Sequence, residues 1–287
     1  MRIIKRKKGK QYYFYLQHSF RKKGKVITRE KYLGQEIPKD INKIKIAFRE
    51  QSKLDLIKML NLIKKNFQAD WIRLPESVKE KELEEIAIAF TYNTNAIEGS
   101  TITLAEAREI IHDKIAPNKP LRDVREAETH SKIFLEMLKK KEKITESLLL
   151  KWHKDIFEET KEDIAGKFRT YLVRVGSYLS PDWQDIKKLM QGLIEFIYKS
   201  KKMNPVELSA RVHYKFEKIH PFGDGNGRIG RLLMNYILWH NDYPMLIIEY
   251  KKRKSYYKAL QKDEDGFVAY FLRRYIAIHR KNVFLSL

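Results

Sequence analysis

A short glycine-rich turn carries the residues whose types and spacing suit chemistry. The stretch from Ile219 to Arg231, IHPFGDGNGRIGR, holds a histidine, an acid, glycines and two arginines between segments of helical pattern. Gly225-Asn226-Gly227 opens the second helical segment, where backbone N–H groups are unpaired and the helix dipole is positive. Glycines let the backbone approach oxygen atoms closely, and Arg228 and Arg231 add charge for neighbouring phosphates. The turn therefore predicts an anion site.

Two further side chains of the turn extend this prediction from binding to catalysis. Asp224 would repel a bare phosphate, but it suits a Mg²⁺ ion that bridges two phosphates. His220 lies just upstream, and a histidine with a pKa near ~6.5 can accept a proton from an incoming hydroxyl at neutral pH. Together these groups indicate phosphoryl or nucleotidyl transfer. The competing interpretation is a turn of purely structural glycines, and the joint presence of base, acid and arginines speaks against it.

Helices must position this turn. A period of 3.6 residues predicts helices on both sides of it and along most of the chain beyond Pro38. The preceding helix has a clear start, with Asn204 as cap, Pro205 at the first helical position and Glu207 placed to complete a capping box. An earlier apolar stripe ends at Gly99, which we interpret as a C-terminal stop. Further helices are predicted at about 104–112, 122–140, 145–158, 182–199, 253–263 and 266–281.

Two segments follow the alternating pattern of strands. Residues 10–34 are rich in aromatic and β-branched residues, and a break at Lys22-Lys23-Gly24 predicts an antiparallel hairpin. Residues 166–181 alternate again and predict a short β-hairpin flap, which can offer edge backbone to an extended segment of another chain. The expected fold class is mainly α, with a basic N-terminal β-sheet over residues 1–36 and a helical region over residues 37–287.

Composition limits the classes of partner. The 287 residues include 59 Lys and Arg against 37 Asp and Glu, a formal net charge of +22. This excess favours nucleic acid, anionic lipid or polyphosphate ligands without choosing among them. The absence of cysteine excludes disulfides and thiolate metal sites. No apolar run is long enough for a signal peptide or a membrane span, so we expect a cytoplasmic protein without membrane association.

The run from His220 to Arg231 resembles the complete signature of the Fic family, HPFx[D/E]GNGRxxR, with no departure at a fixed position. GKFRTYLVRVG, residues 166–176, is similar to the segment that leads into the family's flap, and Tyr256-Tyr257-Lys258-Ala259-Leu260 adds to a resemblance that covers about residues 70–280. It implies a Fic-type helical fold with its core at about 120–280. It also implies an adenylyltransferase that moves AMP from ATP to a Ser, Thr or Tyr hydroxyl of a target protein or of itself.

The resemblance implies a role for each residue of the signature. His220 would be the general base, and Asp224 would hold Mg²⁺ at the α- and β-phosphates. The anion hole would be lined by Gly225-Asn226-Gly227, and the outer phosphates would meet Arg228 and Arg231. Tyr257 would lie near the nucleotide, although Tyr256 is an equally aromatic neighbour. The full set expected to bind nucleotide is Gly225, Asn226, Gly227, Arg228, Ile229, Gly230, Arg231 and Tyr257.

A second motif resembles the family's inhibitory signature, [S/T]xxxE[G/N]. Thr94-Asn95-Ala96-Ile97-Glu98-Gly99 precedes the core and implies the subclass with an internal inhibitory helix, here at about 78–98. A carboxylate at Glu98 would pair with Arg231 and occupy the group that the γ-phosphate needs. The competing interpretation of Glu98 is an ordinary charge at a helix end. In some relatives the same glutamate serves to remove AMP from modified targets.

Several alternatives stay open at this level. The same site could remove AMP or transfer another phosphate-containing group, and a Fic fold could have lost catalysis. An alternative from another class is a DNA-binding regulator, in which basic strands with interleaved tyrosines bind nucleic acid through residues 1–34, but a solvated basic hairpin is favoured. The family's frequent association near the inhibitory helix implies a homodimer. Buried packing or hydrogen bonding, rather than catalysis, is expected of His130, His153 and His213.

Overall fold

The computed structural model describes residues 2–22 and 25–279 of the chain. Lys23 and Gly24 of the predicted break lie outside the described residues, as does the end of the helix predicted at about 266–281. The described residues divide into two compact units, one containing those up to Ile63 together with residues 276–279, the other containing Lys64–Tyr275. The change from strands to helices falls between Gly34 and Ile41. The domain boundary between residues 36 and 37 stays a prediction.

The first unit contains an antiparallel sheet whose described strands have the order β1-β2-β3: β1 (Arg2–Lys8), β2 (Gln11–Lys22) and β3 (Lys25–Gly34). Ile3 lies opposite Leu16, and Tyr15 lies opposite Tyr32 beyond a register shift. The pairing of β2 with β3 agrees with the hairpin that the sequence predicts. β1 was not predicted, because its sequence RIIKRKK is dominated by lysine and arginine, which strands disfavour unless pairing stabilises them.

The helices confirm the mainly α fold class. α1 (Ile41–Arg73) follows the sheet, and the remaining helices in chain order are α2 (Glu76–Ile97), α3 (Leu104–Arg108), α4 (Leu121–Lys139), α5 (Glu146–Phe157), α6 (Ile186–Lys199), α7 (Pro205–Ile219), α8 (Asn226–Trp239), α9 (Arg253–Leu260) and α10 (Glu264–His279). α3 is shorter than predicted because the chain continues as a π-helical turn at Glu109–Asp113. α6 starts later than predicted because Trp183–Asp185 forms a 3₁₀ turn.

The apolar stripes of the second unit form one large core. Residues of α2, α4, α5, α6, α7 and α8 contribute to it, among them Phe90, Phe134, Phe157, Met190, Phe216 and Leu233. α7 and α8 are antiparallel neighbours joined by the glycine-rich turn, so both ends of that turn are fixed by core packing. Rigid helices at each end are the support that a precise site needs.

The start of α7 differs in one detail from the prediction. The Asn204 side chain accepts a hydrogen bond from the Val206 N–H at 2.9 Å, and Pro205 occupies the first turn, as expected. Glu207 does not complete a capping box, because its carboxylate accepts from Arg211 one turn later, at 2.9 and 3.0 Å. A complete capping box occurs instead at the start of α3, between Thr103 and Glu106.

The predicted flap is present but contains little strand. β4 (Arg174–Val175) pairs with β5 (Tyr178–Leu179), and the rest of residues 166–181 is irregular. Arg169 gives the reason, because its buried guanidinium donates to the carbonyls of Tyr171 at 2.6 Å and Pro181 at 2.7 Å. These bonds hold the segment in loops where the alternation alone predicts extended pairing. In the described part of the chain, no helix has the length and apolarity that a bilayer span requires.

Candidate active site

The backbone conformation of His220 and the side-chain amide of Asn226 hold the turn between α7 and α8 in shape. α7 ends at Ile219, and His220 caps it with a left-handed backbone of φ 52°. The buried side chain of Asn226 spans the turn, since it accepts from the Phe222 N–H and donates to the Phe222 carbonyl, both at 2.8 Å. Asn226 was predicted to line an anion hole, and the structure uses its side chain to fix the loop around that hole.

The two glycines of the motif are required by their surroundings. Gly225 has φ 76°, and a Cβ there would collide with the ring of Phe157. A Cβ on Gly227 would collide with the carboxylate of Glu98 and with the Arg231 guanidinium. The surface of Gly227 at the amino end of α8 is therefore a cradle, and in this structure the oxygen of a carboxylate lies in it. An anion at a helix amino terminus is stabilised by the dipole and the free N–H groups.

That carboxylate comes from the end of α2. Glu98 is the C-terminal cap of the helix, and its Oε1 accepts from Arg231 Nη2 at 2.6 Å. Thr94 lies one turn earlier on the same face, and its Oγ1 accepts from Arg231 Nε at 2.7 Å. The Arg231 guanidinium is fully buried; burial disfavours its charge, but the adjacent Glu98 carboxylate more than compensates and raises the pKa of Arg231. The ion pair expected between Glu98 and Arg231 is thus present.

His220 lies at the mouth of the turn in a form that can accept a proton. Burial lowers the pKa of its imidazole below the ordinary range, so the ring is neutral at pH 7. Its backbone carbonyl accepts from Arg169 Nε at 2.8 Å, which ties the flap to the histidine. A neutral imidazole at this position is suited to general-base catalysis.

Asp224 is the acid of the turn. Burial raises its pKa, but the hydrogen bond from Lys161 and the nearby charges outweigh that effect and lower the pKa to about 2. Its Oδ2 lies 2.8 Å from Lys161 Nζ, and its side chain is half-exposed. Within residues 2–22 and 25–279 no cluster of three or more His, Asp or Glu could hold a metal. One ionised, accessible carboxylate nevertheless fits Mg²⁺ that arrives on nucleotide phosphates, since Mg²⁺ takes one or two carboxylates and fills its shell with phosphate and water.

The two arginines of the motif face different helices. Arg231 faces α2, whereas Arg228 is buried against α4 and α5. Its Nη1 donates to Glu126, and its guanidinium lies over the ring of Phe157 at 4.3 Å from the centroid. Arg228 was expected to meet outer phosphates, and in this structure its donor groups face a protein carboxylate.

Ile229 and Gly230 belong to the run predicted to bind nucleotide, and their side of α8 faces the core. Ile229 is fully buried in the core, and a Cβ on Gly230 would crowd His213 and Glu217 of α7. Helical geometry places Ile229 on the face opposite the cradle on Gly227, whereas Gly230 lies about one turn after Gly227 on the same side of α8. The Ile229 side chain and the close approach at Gly230 serve the packing of the helix pair, and nucleotide binding by these two positions stays a prediction.

The structure distinguishes the two neighbouring tyrosines. Tyr256 is buried, and its hydroxyl hydrogen-bonds His213 Nε2 at 2.8 Å. Tyr257 is 40% exposed, and its hydroxyl donates to the carbonyl of Ile97 at 3.3 Å, beside the end of α2. Burial raises the pKa of Tyr257 to about 12, so its hydroxyl stays protonated. Of the pair, Tyr257 is the one with a surface free for a ligand.

The remaining helical histidines are structural, as expected. His153 uses both ring nitrogens, since Nδ1 accepts from the Gly166 N–H at 2.9 Å and Nε2 lies 3.0 Å from the Asp224 carbonyl. Its ring stacks on Phe222 at 3.9 Å. His130 is buried against Phe90. The sequence did not predict the contacts that Glu126, Lys161 and Arg169 make with the turn or with Arg228, because their partners lie far away in the chain.

Comparison with known proteins agrees with this geometry. The Fic/DOC family model matches residues 143–238. A protein adenylyltransferase Fic from Nematostella vectensis is 32% identical over 201 residues, which are 68% of this chain and 47% of that protein. One from Drosophila ananassae is 29% identical over 276 residues, which are 90% of this chain and 54% of that protein. The chain spans about half the length of these relatives.

Solved structures show the same fold. A Fic domain containing signalling protein from Bacteroides thetaiotaomicron is 25% identical and superposes with a TM-score of 0.67, over 79% of this chain and 97% of that one. A Fic-1 fragment from C. elegans is 24% identical, with a TM-score of 0.69, over 86% of this chain and 77% of that one. With an unbroken signature in the turn, a matching domain model and this shared fold, the chain belongs to the Fic/DOC family.

Proposed function

We propose that this protein is an adenylyltransferase that moves AMP from ATP to a hydroxyl of a target protein or of itself, and that Glu98 inhibits it in the state described. One observation carries the proposal. The Glu98 carboxylate lies in the cradle of Gly227 and pairs with Arg231, which is where the outer phosphates of a nucleotide would bind. The names of the relatives support the reaction, since they are protein adenylyltransferases.

The proposed reaction starts at His220. Its neutral imidazole accepts the proton of the target hydroxyl while the hydroxyl oxygen attacks the α-phosphorus of ATP. The bond between the α-phosphorus and the bridging oxygen breaks, and pyrophosphate leaves. The products are an AMP ester on the target, pyrophosphate and an imidazolium, which returns its proton to solvent. Backbone N–H groups at the amino end of α8 stabilise the charge on the phosphate oxygens.

Asp224 would hold a Mg²⁺ ion, which when bound neutralises charge on the α- and β-phosphates. The carboxylate is ionised at neutral pH and half-exposed, so one oxygen can ligate the ion. Arg231 would bind the outer phosphates after Glu98 has left. Tyr257 would contact the nucleotide from the side of α9, since its ring is exposed there.

Inhibition follows from competition for one cation. Arg231 is buried, and Glu98 occupies it on the side of the Gly227 cradle, where an outer phosphate would bind. A phosphate placed beside Glu98 would also meet its negative charge. The position of Glu98 at a helix end, with its side chain 29% exposed, leaves room for it to swing away. The enzyme would therefore be nearly inactive in AMP transfer until Glu98 moves.

The target would dock along the flap. Leu172, Val175 and Leu179 expose apolar side chains there, and β4 and β5 offer unpaired edges to an extended segment. We also propose a homodimer, which the family resemblance implies, and a cytoplasmic location, which stays a prediction. Nucleic acid is the second candidate partner, through the basic N-terminal sheet, where Lys5 lies over Tyr12 at 3.9 Å and Arg6 pairs with Glu30. A salt-dependent DNA shift that is lost on deleting residues 1–34 would support it.

The test compares His220→Ala with His112→Ala, both in the Glu98→Gly background. His112 is an exposed histidine paired with Glu84 and serves as the matched control. We expect α-labelled ATP to label the control, and no labelling of the His220→Ala protein, while ATP binding stays within about threefold, because a base acts on the transition state. Parental labelling by His220→Ala would refute the assignment. Label from γ-labelled ATP would instead indicate phosphate transfer, and release of AMP from modified protein would indicate the reverse reaction.

A further inference from the structure

Four charged side chains form a closed ring beneath the glycine-rich turn. Glu126 of α4 accepts from Arg228 on one oxygen and from Lys161 on the other, the latter at 2.8 Å. Lys161 also lies 2.8 Å from Asp224 Oδ2, and Arg228 Nη2 lies 3.8 Å from Asp224 Oδ1. Two carboxylates therefore share two cations. The reaction described above uses Asp224 and leaves the rest of the ring without a role.

Glu126 is firmly held in this ring. Its side chain is 9% exposed, and Thr160 Oγ1 adds a third donor at 3.1 Å. Burial raises its pKa, but Arg228 and Lys161 outweigh that effect and lower the pKa below the usual range, so the group is an anion. It lies within a core helix, unlike Glu98, which ends a helix and has one cationic partner. We therefore do not expect Glu126 to move away from Arg228 and leave that arginine free to bind a phosphate.

The same contacts bear on the metal site. Asp224 can ligate Mg²⁺ only when its oxygens are not fully engaged by protein cations. Lys161 lies between the two carboxylates, and Arg228 is within reach of both. If the charge of Glu126 were absent, Asp224 would be the only carboxylate left in the ring. Coulomb attraction would then bring Arg228 closer to Asp224 and strengthen the contact between Asp224 and Lys161.

We propose that Glu126 is a positioning residue for the transfer reaction: it holds Arg228 away from Asp224 and shares Lys161 with it, so that the Asp224 carboxylate is only partly neutralised and remains available to Mg²⁺. In this arrangement Arg228 links the turn to α4 through Glu126 and packs on Phe157, and it does not bind the outer phosphates. The inference rests on the proposed function for the identity of the metal site. It adds a residue outside the signature and gives a different role to an arginine within it.

The test measures ATP binding by calorimetry, with and without Mg²⁺, in the Glu98→Gly protein. We expect Glu126→Gln to raise the Mg²⁺ concentration for half-maximal ATP binding at least about fivefold, because two cations then compete for Asp224. Without Mg²⁺, its ATP affinity and that of Arg228→Gln should each change less than about threefold. Glu128→Gln is the matched control, an exposed carboxylate two residues away on α4, and should leave both values unchanged.

A second substitution separates charge balance from a merely structural effect. Adding Lys161→Gln to Glu126→Gln removes one of the two competing cations, so the Mg²⁺ requirement should return toward the parental value. A purely structural defect would grow with the second substitution. If Glu126→Gln does not fold, as judged by its melting temperature, Glu126→Asp keeps the charge on a shorter arm and should show a Mg²⁺ requirement close to the parental one.

Two results would overturn the proposal. One is an unchanged Mg²⁺ requirement in Glu126→Gln. The other is tenfold weaker Mg²⁺-free ATP binding by Arg228→Gln with tighter binding by Glu126→Gln, which would make Arg228 a phosphate ligand that Glu126 restrains. Absence of AMP transfer by the parent, with Mg²⁺-dependent ATP binding intact and the expected shifts present, would refute the proposed function and leave this inference in place.

Discussion

Removing the Glu98 carboxylate should activate the enzyme. In the Glu98→Gly protein, Arg231 loses its partner at 2.6 Å and the cradle on Gly227 becomes free. Glycine is tolerated at this position because Glu98 caps the helix from outside its regular turns. The Thr94 contacts to Arg231 remain, so the guanidinium stays in place to receive a phosphate.

The size of the effect follows from the contact. A hydrogen bond between charged groups contributes about 1.5–3 kcal/mol net, and a factor of ten corresponds to about 1.4 kcal/mol. A nucleotide whose phosphate must first displace Glu98 loses the free energy of this contact, and its affinity falls by the corresponding factor. Because the Glu98 side chain is partly hydrated, at 29% exposure, the lower part of the range applies. We expect at least a ~10-fold gain in ATP affinity and in transfer rate at subsaturating ATP.

Self-labelling with α-labelled ATP, together with calorimetric ATP affinity, measures both quantities. Glu98→Gln is a second variant, which removes the charge and keeps the size. Glu82→Gln is its control, an exposed glutamate of the same helix. Equal labelling and equal affinity in the parent and in Glu98→Gly would refute inhibition by this residue. Activation by the control as well would show that loosening α2, rather than freeing Arg231, is the cause.

Three further predictions follow from the geometry. Because burial lowers the pKa of His220, transfer by the Glu98→Gly protein should rise with pH with a midpoint below the ordinary histidine value of ~6.5; a midpoint above that value would count against this base. Asp224→Asn should raise the Mg²⁺ concentration for half-maximal transfer at least about fivefold, and an unchanged requirement would exclude it as the ligand. Tyr256→Phe should lower the free energy of unfolding in urea by about 1–3 kcal/mol, since it leaves His213 without its buried partner; no loss would contradict the bond.

Much of the helical unit follows from local sequence. The 3.6-residue stripes predict the helices within a few residues because apolar positions that recur at that period must share one buried face. The turn from His220 to Arg231 is also local, so its residue types indicate an anion site before any tertiary contact is known. The resemblance of the segment ending in Glu98 to a family motif adds the partner of Arg231, 133 residues away.

Other contacts could not be foreseen because their cause is tertiary. Glu126 meets Arg228 across 102 residues, and nothing in the local pattern of α4 distinguishes this glutamate from its exposed neighbours. The roles of Arg169 and Lys161 depend in the same way on where the loops after α5 settle. β1 is a strand only because β2 pairs with it along seven residues, which outweighs the poor strand propensity of its basic sequence.

The most direct test of the central claim is the intact mass of the Glu98→Gly protein after incubation with ATP and Mg²⁺. The account predicts a new species heavier by one AMP group, located by fragmentation to a Ser, Thr or Tyr hydroxyl, and absent when His220→Ala is added. An unmodified protein that binds ATP normally, or the same adduct in both variants, would contradict transfer by this site.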